Sequence, residues 1–402
     1  MKFTTLFILI VLSINSFGQT NELKTSDIVP FTSTIEISNG KVTGTGAEKL
    51  ENEIKTSQFF MLGEEHFSPQ ISQLTNVLLP IFKRNGYDNF ALEVGPLSAK
   101  KLQTKIKIHS SLFEFNHSFY SKYNEIPIPF FDGTLDEVFL KTALNNNFKL
   151  WGLDQEYLSA HLFLIDDIYQ LSSDKRLLKT FYDQAKTFIK EEFNKENEDE
   201  DYPTFTNLLN AEEIKQFFNK CKSKKQKEII SEIIKSWEIY KLNETKEYNT
   251  SNVTRMENMK RNFAYDYKNA QKNNNLPKVL IKTGAMHLGY GKSWLGIYDL
   301  GNMVNELAYF NNTKSTSINC FSRYSENEDG SIYDFKDDEY GKNLSLILEL
   351  ATKDKWTLLD TKKIIELSRK RKVKLNNDLD FILSRYDYIL FAPLKTKMKK
   401  NY

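Results

Sequence analysis

Residues 58–66 have the sequence Gln58-Phe59-Phe60-Met61-Leu62-Gly63-Glu64-Glu65-His66. A short apolar run followed directly by charged groups is typical of a buried strand that ends at a polar loop. A second such run, Lys278–Ile281, leads into Gly284-Ala285-Met286-His287. In open parallel sheets, ligands bind beyond the carboxyl ends of the strands. The two segments therefore predict an α/β protein with His66 and His287 at one edge of its sheet.

Further strands and helices are predicted along the chain. The other strand-like runs are Asn89–Val94, Phe148–Leu153, Leu307–Phe310 and Tyr388–Phe391. Residues 72–83 and most of residues 159–267 instead have apolar side chains at helical spacing. Strands that alternate with helices favour a mostly parallel sheet flanked by helices. We expect residues 159–267 to form an inserted α-helical subdomain beside the ligand-binding edge.

The N-terminus resembles a secretory signal peptide. Lys2 precedes an apolar stretch, and the small residues Ser16 and Gly18 follow it. This pattern predicts cleavage near Gly18 and export to a periplasm or to the outside of the cell. Residues 19–48 are then a polar leader, and residues 49–158 and 268–402 are the two halves of the α/β domain. No other segment has the roughly 18 to 20 apolar residues that a membrane span needs.

The overall composition limits the kinds of partner that this protein is expected to bind. The 402 residues include 55 basic and 53 acidic side chains, a formal net charge of +2. This balance argues against a nucleic-acid surface and favours a small-molecule or peptide substrate. Cys221 and Cys320 are the two cysteines, which are too few for a cysteine metal site. An oxidising compartment would allow them to pair without requiring it.

Five polar residues lie at or just beyond predicted strand ends. They are Glu64, His66, Glu93, Asp154 and His287. Two imidazoles and several carboxylates can hold a divalent metal and acidify a bound water. Without a metal, a histidine oriented by a carboxylate can take a proton from water and return it to a leaving group. Their spacing in the sequence is compatible with both chemistries.

The order of these short motifs resembles the superfamily that groups the erythromycin esterases, the haem-binding ChaN proteins and the Tiki proteases. The matching segments, which span about residues 50 to 395, are Gly63–His66, Ala91–Glu93, Gly152–Gln155 and Gly284–His287. Arg255, Met259 and Asn262 are similar to a helical Arg-x-x-x-Met-x-x-Asn motif of the esterase branch. Tyr386–Phe391 is similar to its closing strand.

The esterase resemblance implies a site without a cofactor. His66 is then the general base that activates a water, with Glu64 and Glu93 orienting it. His287 would stabilise the developing oxyanion or bind the substrate. The resemblance also implies three substrate-binding residues: Arg255, Asp154 and Asn262.

The other branches imply different chemistry for the same residues. A Tiki-like metallohydrolase would use His66, His287, Glu64 and Glu93 as ligands of a divalent metal. A ChaN-like protein would bind haem or iron without catalysis. The single residue between Glu64 and His66 is closer to the spacing in ChaN and Tiki relatives than to that in the esterases.

Overall fold

A computed structural model describes residues 22–402, so the predicted signal peptide lies outside the described residues. The strands are β1 Thr32–Ser38, β2 Lys41–Thr43, β3 Phe59–Glu64, β4 Tyr87–Leu92, β5 Lys149–Gly152, β6 Lys278–Gly284, β7 Ser315–Ser322, β8 Tyr324–Glu326, β9 Ile332–Asp334, β10 Trp356–Asp360 and β11 Tyr388–Ala392. Strands β8 and β9 pair only with each other, and the remaining strands form one nine-stranded sheet.

The large sheet is mostly parallel. Its strand order is β2-β1-β10-β11-β7-β3-β6-β4-β5. Strands β11, β7, β3, β6, β4 and β5 are parallel to one another. At one edge the sheet continues with β10, β1 and β2, each antiparallel to the strand before it. This arrangement confirms the predicted α/β fold class.

Helices cover both faces of the sheet. They are α1 Thr25–Ile28, α2 Thr45–Thr56, α3 Pro69–Arg84, α4 Pro96–His109, α5 Phe113–Tyr123, α6 Thr134–Asn145, α7 Ala160–Gln170, α8 Lys175–Glu198, α9 Thr204–Asn210, α10 Glu212–Lys220, α11 Lys224–Glu244, α12 Tyr248–Gln271, α13 Leu300–Phe310, α14 Glu339–Asn343, α15 Ser345–Leu348, α16 Thr361–Arg371 and α17 Asn377–Arg385. Helices α7 to α12 follow one another between β5 and β6, with no strand between them.

Strand β3 contributes side chains to the hydrophobic clusters on both faces of the sheet. Its side chains alternate between the two faces, as in any strand. Phe60 and Leu62 belong to the same buried cluster as residues of α3 and of helices α7 to α11. Phe59 and Met61 pack on the opposite face with residues of α12 and α13. The sheet is therefore buried on both sides, which explains why the strand is almost continuously apolar.

The connections that leave β3 and β6 run in opposite directions. Strand β3 is followed by β4, which lies on the far side of β6, and β6 is followed by β7, which lies on the far side of β3. A crevice forms beyond the carboxyl ends of strands at such a topological switch point. His66 and His287 follow these two strands, so the fold places both histidines at this crevice.

One predicted strand is wrong. Leu307–Phe310 forms the last turn of helix α13, and the strand follows at Ser315–Ser322. A run of four apolar residues does not distinguish a strand from a buried helix, and Leu300, Val304 and Ala308 are buried at helical spacing. The observed strand is buried but rich in serine, threonine and asparagine, so its sequence does not show the apolar run that is typical of a buried strand.

Other features complete the architecture. Residues 32–43 of the predicted polar leader form β1 and β2, which extend the sheet through pairing of β1 with β10. Cys221 and Cys320 are both buried free thiols. Among residues 22–402, no helix combines the length and the apolar character needed to cross a membrane.

Candidate active site

The structure brings together two histidines and two glutamates at the carboxyl ends of β3, β4 and β6. His66 Nδ1 lies 3.2 Å from Glu64 Oε1, and His66 Nε2 lies 3.5 Å from Glu93 Oε2. His287, in a short 3-10 helix that directly follows β6, has its Nε2 3.4 Å from Glu93 Oε1. Glu93 therefore lies between the two imidazoles.

Glu93 is held as a carboxylate by the groups around it. The backbone N–H of Gly284 donates to its Oε2 at 2.5 Å, and Arg255 donates to its Oε1 at 3.0 Å. Burial disfavours the charged carboxylate, but His287, Arg255 and His66 outweigh that cost and hold the pKa of Glu93 far below its usual range. Glu93 consequently serves as a fixed negative charge.

His287 is a charged imidazolium at neutral pH. Its Nδ1 lies 3.2 Å from Asp299 Oδ2, so each ring nitrogen faces a carboxylate. Burial disfavours the imidazolium, but Glu93 and Asp299 raise the pKa of His287 to about 10. A protonated imidazole has two donors and no lone pair. His287 therefore cannot take a proton from water under these conditions, and it can stabilise negative charge.

His66 is the imidazole that remains available as a proton acceptor. Its ring stacks on Phe130 with 4.0 Å between centroids, and 28% of its side chain is exposed. With the proton on Nδ1, the ring donates to Glu64 and leaves a lone pair on Nε2. A methyl group on Gly284 would lie 2.9 Å from Nε2 and 3.3 Å from Glu93 Oε2. Glycine at this position therefore allows His66 Nε2 and the Glu93 carboxylate to lie close to the backbone at the end of β6.

Sequence reasoning missed two residues that hold this arrangement. Lys282 donates from Nζ to Glu64 Oε2, and both side chains are buried. Burial disfavours ionised Glu64, but Lys282 and His66 hold its pKa below the usual range. A lysine inside the apolar strand β6 was a usable sequence signal. Asp299, the partner of His287, lies in a loop where the sequence has no comparable signal.

The three predicted substrate-binding residues form a hydrogen-bonded group next to Glu93. Arg255 binds Asp154 through two hydrogen bonds, from Nε at 3.0 Å and from Nη2 at 2.5 Å, and also binds Glu93. Asn262 donates to the backbone carbonyl of Leu153 at 2.8 Å. Arg255 points inward from α12. The internal bonds of Asp154 and Asn262 favour a positioning role for both residues over direct contact with a substrate.

The same donor set does not fit a divalent metal. The oxygens of Glu93 already accept from Gly284 and Arg255, and Glu64 is bound to Lys282. Within residues 22–402, no group of three or more His, Cys, Asp or Glu side chains is arranged to hold a metal ion.

The raised pKa of His287 predicts a pH-dependent contribution to stability. Its pKa is about 10 in the folded protein and 6.5 for an ordinary histidine. A group of this kind stabilises the fold fully below its unfolded pKa, and that stabilisation is lost as the pH rises through the folded pKa. We therefore expect the free energy of unfolding to decrease between about pH 6.5 and pH 10, and this decrease should be smaller in His287→Gln. Urea denaturation of both proteins across this range measures it, and parallel pH curves would contradict the assignment.

Comparisons with known proteins bear on the fold. No protein-family model and no curated protein matches the sequence. Among solved structures, a succinoglycan biosynthesis protein is 14% identical, with 93% of this chain and 97% of that chain covered and a TM-score of 0.55. A protein from Bacillus cereus is also 14% identical, with 94% and 100% covered and a TM-score of 0.55.

A third structure is a histidine-to-asparagine variant of the erythromycin esterase EreC in its open conformation. It is 13% identical, with 88% of this chain and 94% of that chain covered and a TM-score of 0.50. Identities this low carry information about the fold alone. The chain therefore has the erythromycin esterase-like α/β fold that its motifs resemble.

Proposed function

We propose that this chain is a metal-independent hydrolase that cleaves an ester or a related bond by activating water. The observation that carries the proposal is the pair formed by His66 and Glu64. With the Nδ1 proton directed at Glu64, His66 Nε2 carries a lone pair, and 28% of the side chain is exposed to an incoming water. A carboxylate that fixes the tautomer of a histidine is a common arrangement for general-base catalysis.

In the proposed reaction, His66 Nε2 takes a proton from water as the water oxygen bonds to the carbonyl carbon. The proton then passes from His66 to the leaving oxygen as the carbon–oxygen bond breaks, which yields an acid and an alcohol. Glu64 stabilises the transient imidazolium, because its oxygen faces Nδ1 at 3.2 Å. Lys282 acts as a positioning residue, since it holds the second oxygen of Glu64.

The negative charge that develops on the carbonyl oxygen needs a fixed positive partner. His287 supplies one through its charge, because Glu93 and Asp299 keep its imidazole protonated. Both of its N–H groups face these carboxylates, so the stabilisation is electrostatic and involves no hydrogen bond from His287 to the oxyanion. A preorganised cation in a largely buried site stabilises an oxyanion more strongly than water does. We assign Arg255 to positioning Glu93 and to binding the substrate from its exposed side, since 29% of its side chain is exposed.

Substrate and location belong to the same proposal. The charge balance of the sequence favours a small-molecule or peptide substrate, and the predicted signal peptide favours export. The erythromycin esterase with the same fold supports ester hydrolysis as the reaction class.

The test of the proposed function is a panel of aryl and alkyl esters assayed before and after prolonged EDTA treatment. We expect hydrolysis of at least one ester, with a rate that EDTA changes by less than about twofold, since no step passes through a metal. Activity that returns only when Zn, Mn or Co is added would replace the proposal with a Tiki-like metallohydrolase. Stoichiometric haem binding without ester hydrolysis would replace it with a ChaN-like binding role.

A further inference from the structure

A cavity opens next to the two histidines, on the β7 side of β3. Its volume is about 390 Å³, which is within the range of small-ligand pockets. Glu64 and Met286 line the side nearest the candidate active site. Nearly half of the remaining lining residues are aromatic, and Trp294 contacts Phe381 with 3.8 Å between ring centroids. An apolar group would therefore fit here beside the reacting atoms.

Arg385 is the basic residue in the wall of this pocket. Only 3% of the residue is exposed, and within residues 22–402 no carboxylate oxygen lies within 4.0 Å of its guanidinium. It donates one hydrogen bond, from Nη2 to the backbone carbonyl of Met286 at 3.2 Å, and its buried Nε has no partner. Arginine carries five N–H donors, so most of its binding capacity is unused.

A buried cation without an anionic partner is unusual, because removing the charge from water is costly. Two partly buried arginines near the sheet do have anionic partners: Arg255 binds Glu93 and Asp154, and Arg323 binds Asp334. Arg385 therefore stands out as a cation that a bound anion would neutralise.

The surroundings of Arg385 hold its guanidinium in a fixed orientation. A Cβ on Gly289 would lie 2.5 Å from its Nε, so the glycine allows the side chain to lie flat against the backbone. The ring of Phe381 packs over it at 4.8 Å. Ser322 also lines the pocket and has a buried Oγ without a hydrogen-bond partner. The pocket thus contains two unsatisfied polar groups within an apolar wall.

The acidic residues of the wall are already neutralised. Glu64 is bound to Lys282, and Glu65 is bound to Lys395 with an N–O distance of 2.7 Å. Neither carboxylate lies within ion-pair distance of Arg385. An incoming anion would consequently meet Arg385 as the unpaired charge of the pocket.

We propose that this pocket binds the half of the substrate that carries an apolar body and a carboxylate, with Arg385 binding the carboxylate. The planar guanidinium matches a carboxylate through two parallel hydrogen bonds, and the aromatic wall accommodates the apolar body. The reaction that would use this half rests on the proposed hydrolase function, whereas binding of the carboxylate itself does not.

A purely structural role for Arg385 makes a different prediction. Its bond to the carbonyl of Met286 helps to hold the turn that carries His287. Tyr386 holds the same turn, because its hydroxyl donates to the carbonyl of Ala285 at 2.7 Å. Tyr386→Phe is therefore a matched control that loosens the turn and keeps the charge of Arg385.

Binding is measured by titration calorimetry on the His66→Asn protein, so that hydrolysis does not interfere. The probes are 3-phenylpropanoate, its neutral amide 3-phenylpropanamide, and 2-phenylethyl phosphate. We expect the carboxylate to bind about tenfold more tightly than the amide, and more tightly than the phosphate. In Arg385→Met this preference should fall to less than about twofold with the affinity for the amide unchanged, while Tyr386→Phe should keep it.

Equal affinity for the acid and the amide would overturn the proposal without any variant being needed. It would also be overturned by tighter binding of the phosphate, by the absence of binding, or by an Arg385→Met protein that keeps the preference. A protein that binds the acid selectively but hydrolyses no ester would refute the proposed function and leave the carboxylate pocket standing.

Discussion

Replacing His66 with asparagine is expected to lower kcat for ester hydrolysis by about 10²-fold to 10⁴-fold, the usual contribution of a general base. Asparagine keeps a donor toward Glu64 but has no nitrogen lone pair to accept a proton from water. His287 cannot replace it, because Glu93 and Asp299 keep that imidazole protonated. Steady-state kinetics on an ester cleaved by the wild type measures the effect.

The matched control for this variant is His117→Asn. His117 is exposed and stacks on Phe113, away from the candidate active site, so the same chemical change there should leave kcat within about twofold of the wild type. Circular dichroism and thermal unfolding establish that both variants are folded. A folded His66→Asn protein with kcat close to that of the wild type would remove His66 as the base.

Replacing Lys282 with methionine is expected to lower the free energy of unfolding by about 3–5 kcal/mol. Lys282 and Glu64 are both buried, with side-chain exposures of 5% and 7%. Removal of the lysine leaves the Glu64 carboxylate in the interior without its strongest cationic partner, and an uncompensated buried charge is costly. Urea denaturation at neutral pH measures the change.

Two further variants separate the loss of the pair from general damage to the strand. The double variant Lys282→Met with Glu64→Gln removes both charges, and it should recover most of the lost stability. Lys179→Met breaks an exposed pair with Asp183 and should cost less than about 1 kcal/mol. A Lys282→Met protein as stable as the Lys179→Met protein would show that the buried pair contributes little.

The sequence alone was sufficient to place the main strands and the edge where the candidate site lies. Strands buried on both faces are mostly apolar, so β3 and β6 are visible as apolar runs. Strand β3 ends at Glu64, the first charged residue after its run, whereas β6 continues through Lys282 to Gly284. The order of a few short motifs was enough to indicate the fold. His66, Glu64, Glu93 and His287 were predicted together for these reasons.

The pattern of apolar residues predicted the wrong secondary structure where the burial of a segment did not follow its amino-acid composition. Strand β7 is buried although serine, threonine and asparagine make up much of it, and neighbouring segments bind polar groups such as the N–H and the hydroxyl of Ser317. Leu307–Phe310 is the last turn of a helix, in which Ala308 is buried and Leu307 packs against the core while Tyr309 and Phe310 are exposed. The amino-acid composition of these two segments does not reveal which of them is buried in the sheet.

Only the tertiary structure distinguishes the two histidines. Their roles depend on carboxylates that arrive from elsewhere in the chain: Glu93 from the end of β4 and Asp299 from the loop before α13. The protonation state of an imidazole is set by the burial and the charges around it, and sequence spacing does not encode either quantity. The same holds for Arg385, whose buried and unpaired guanidinium exists only because distant segments fold around it.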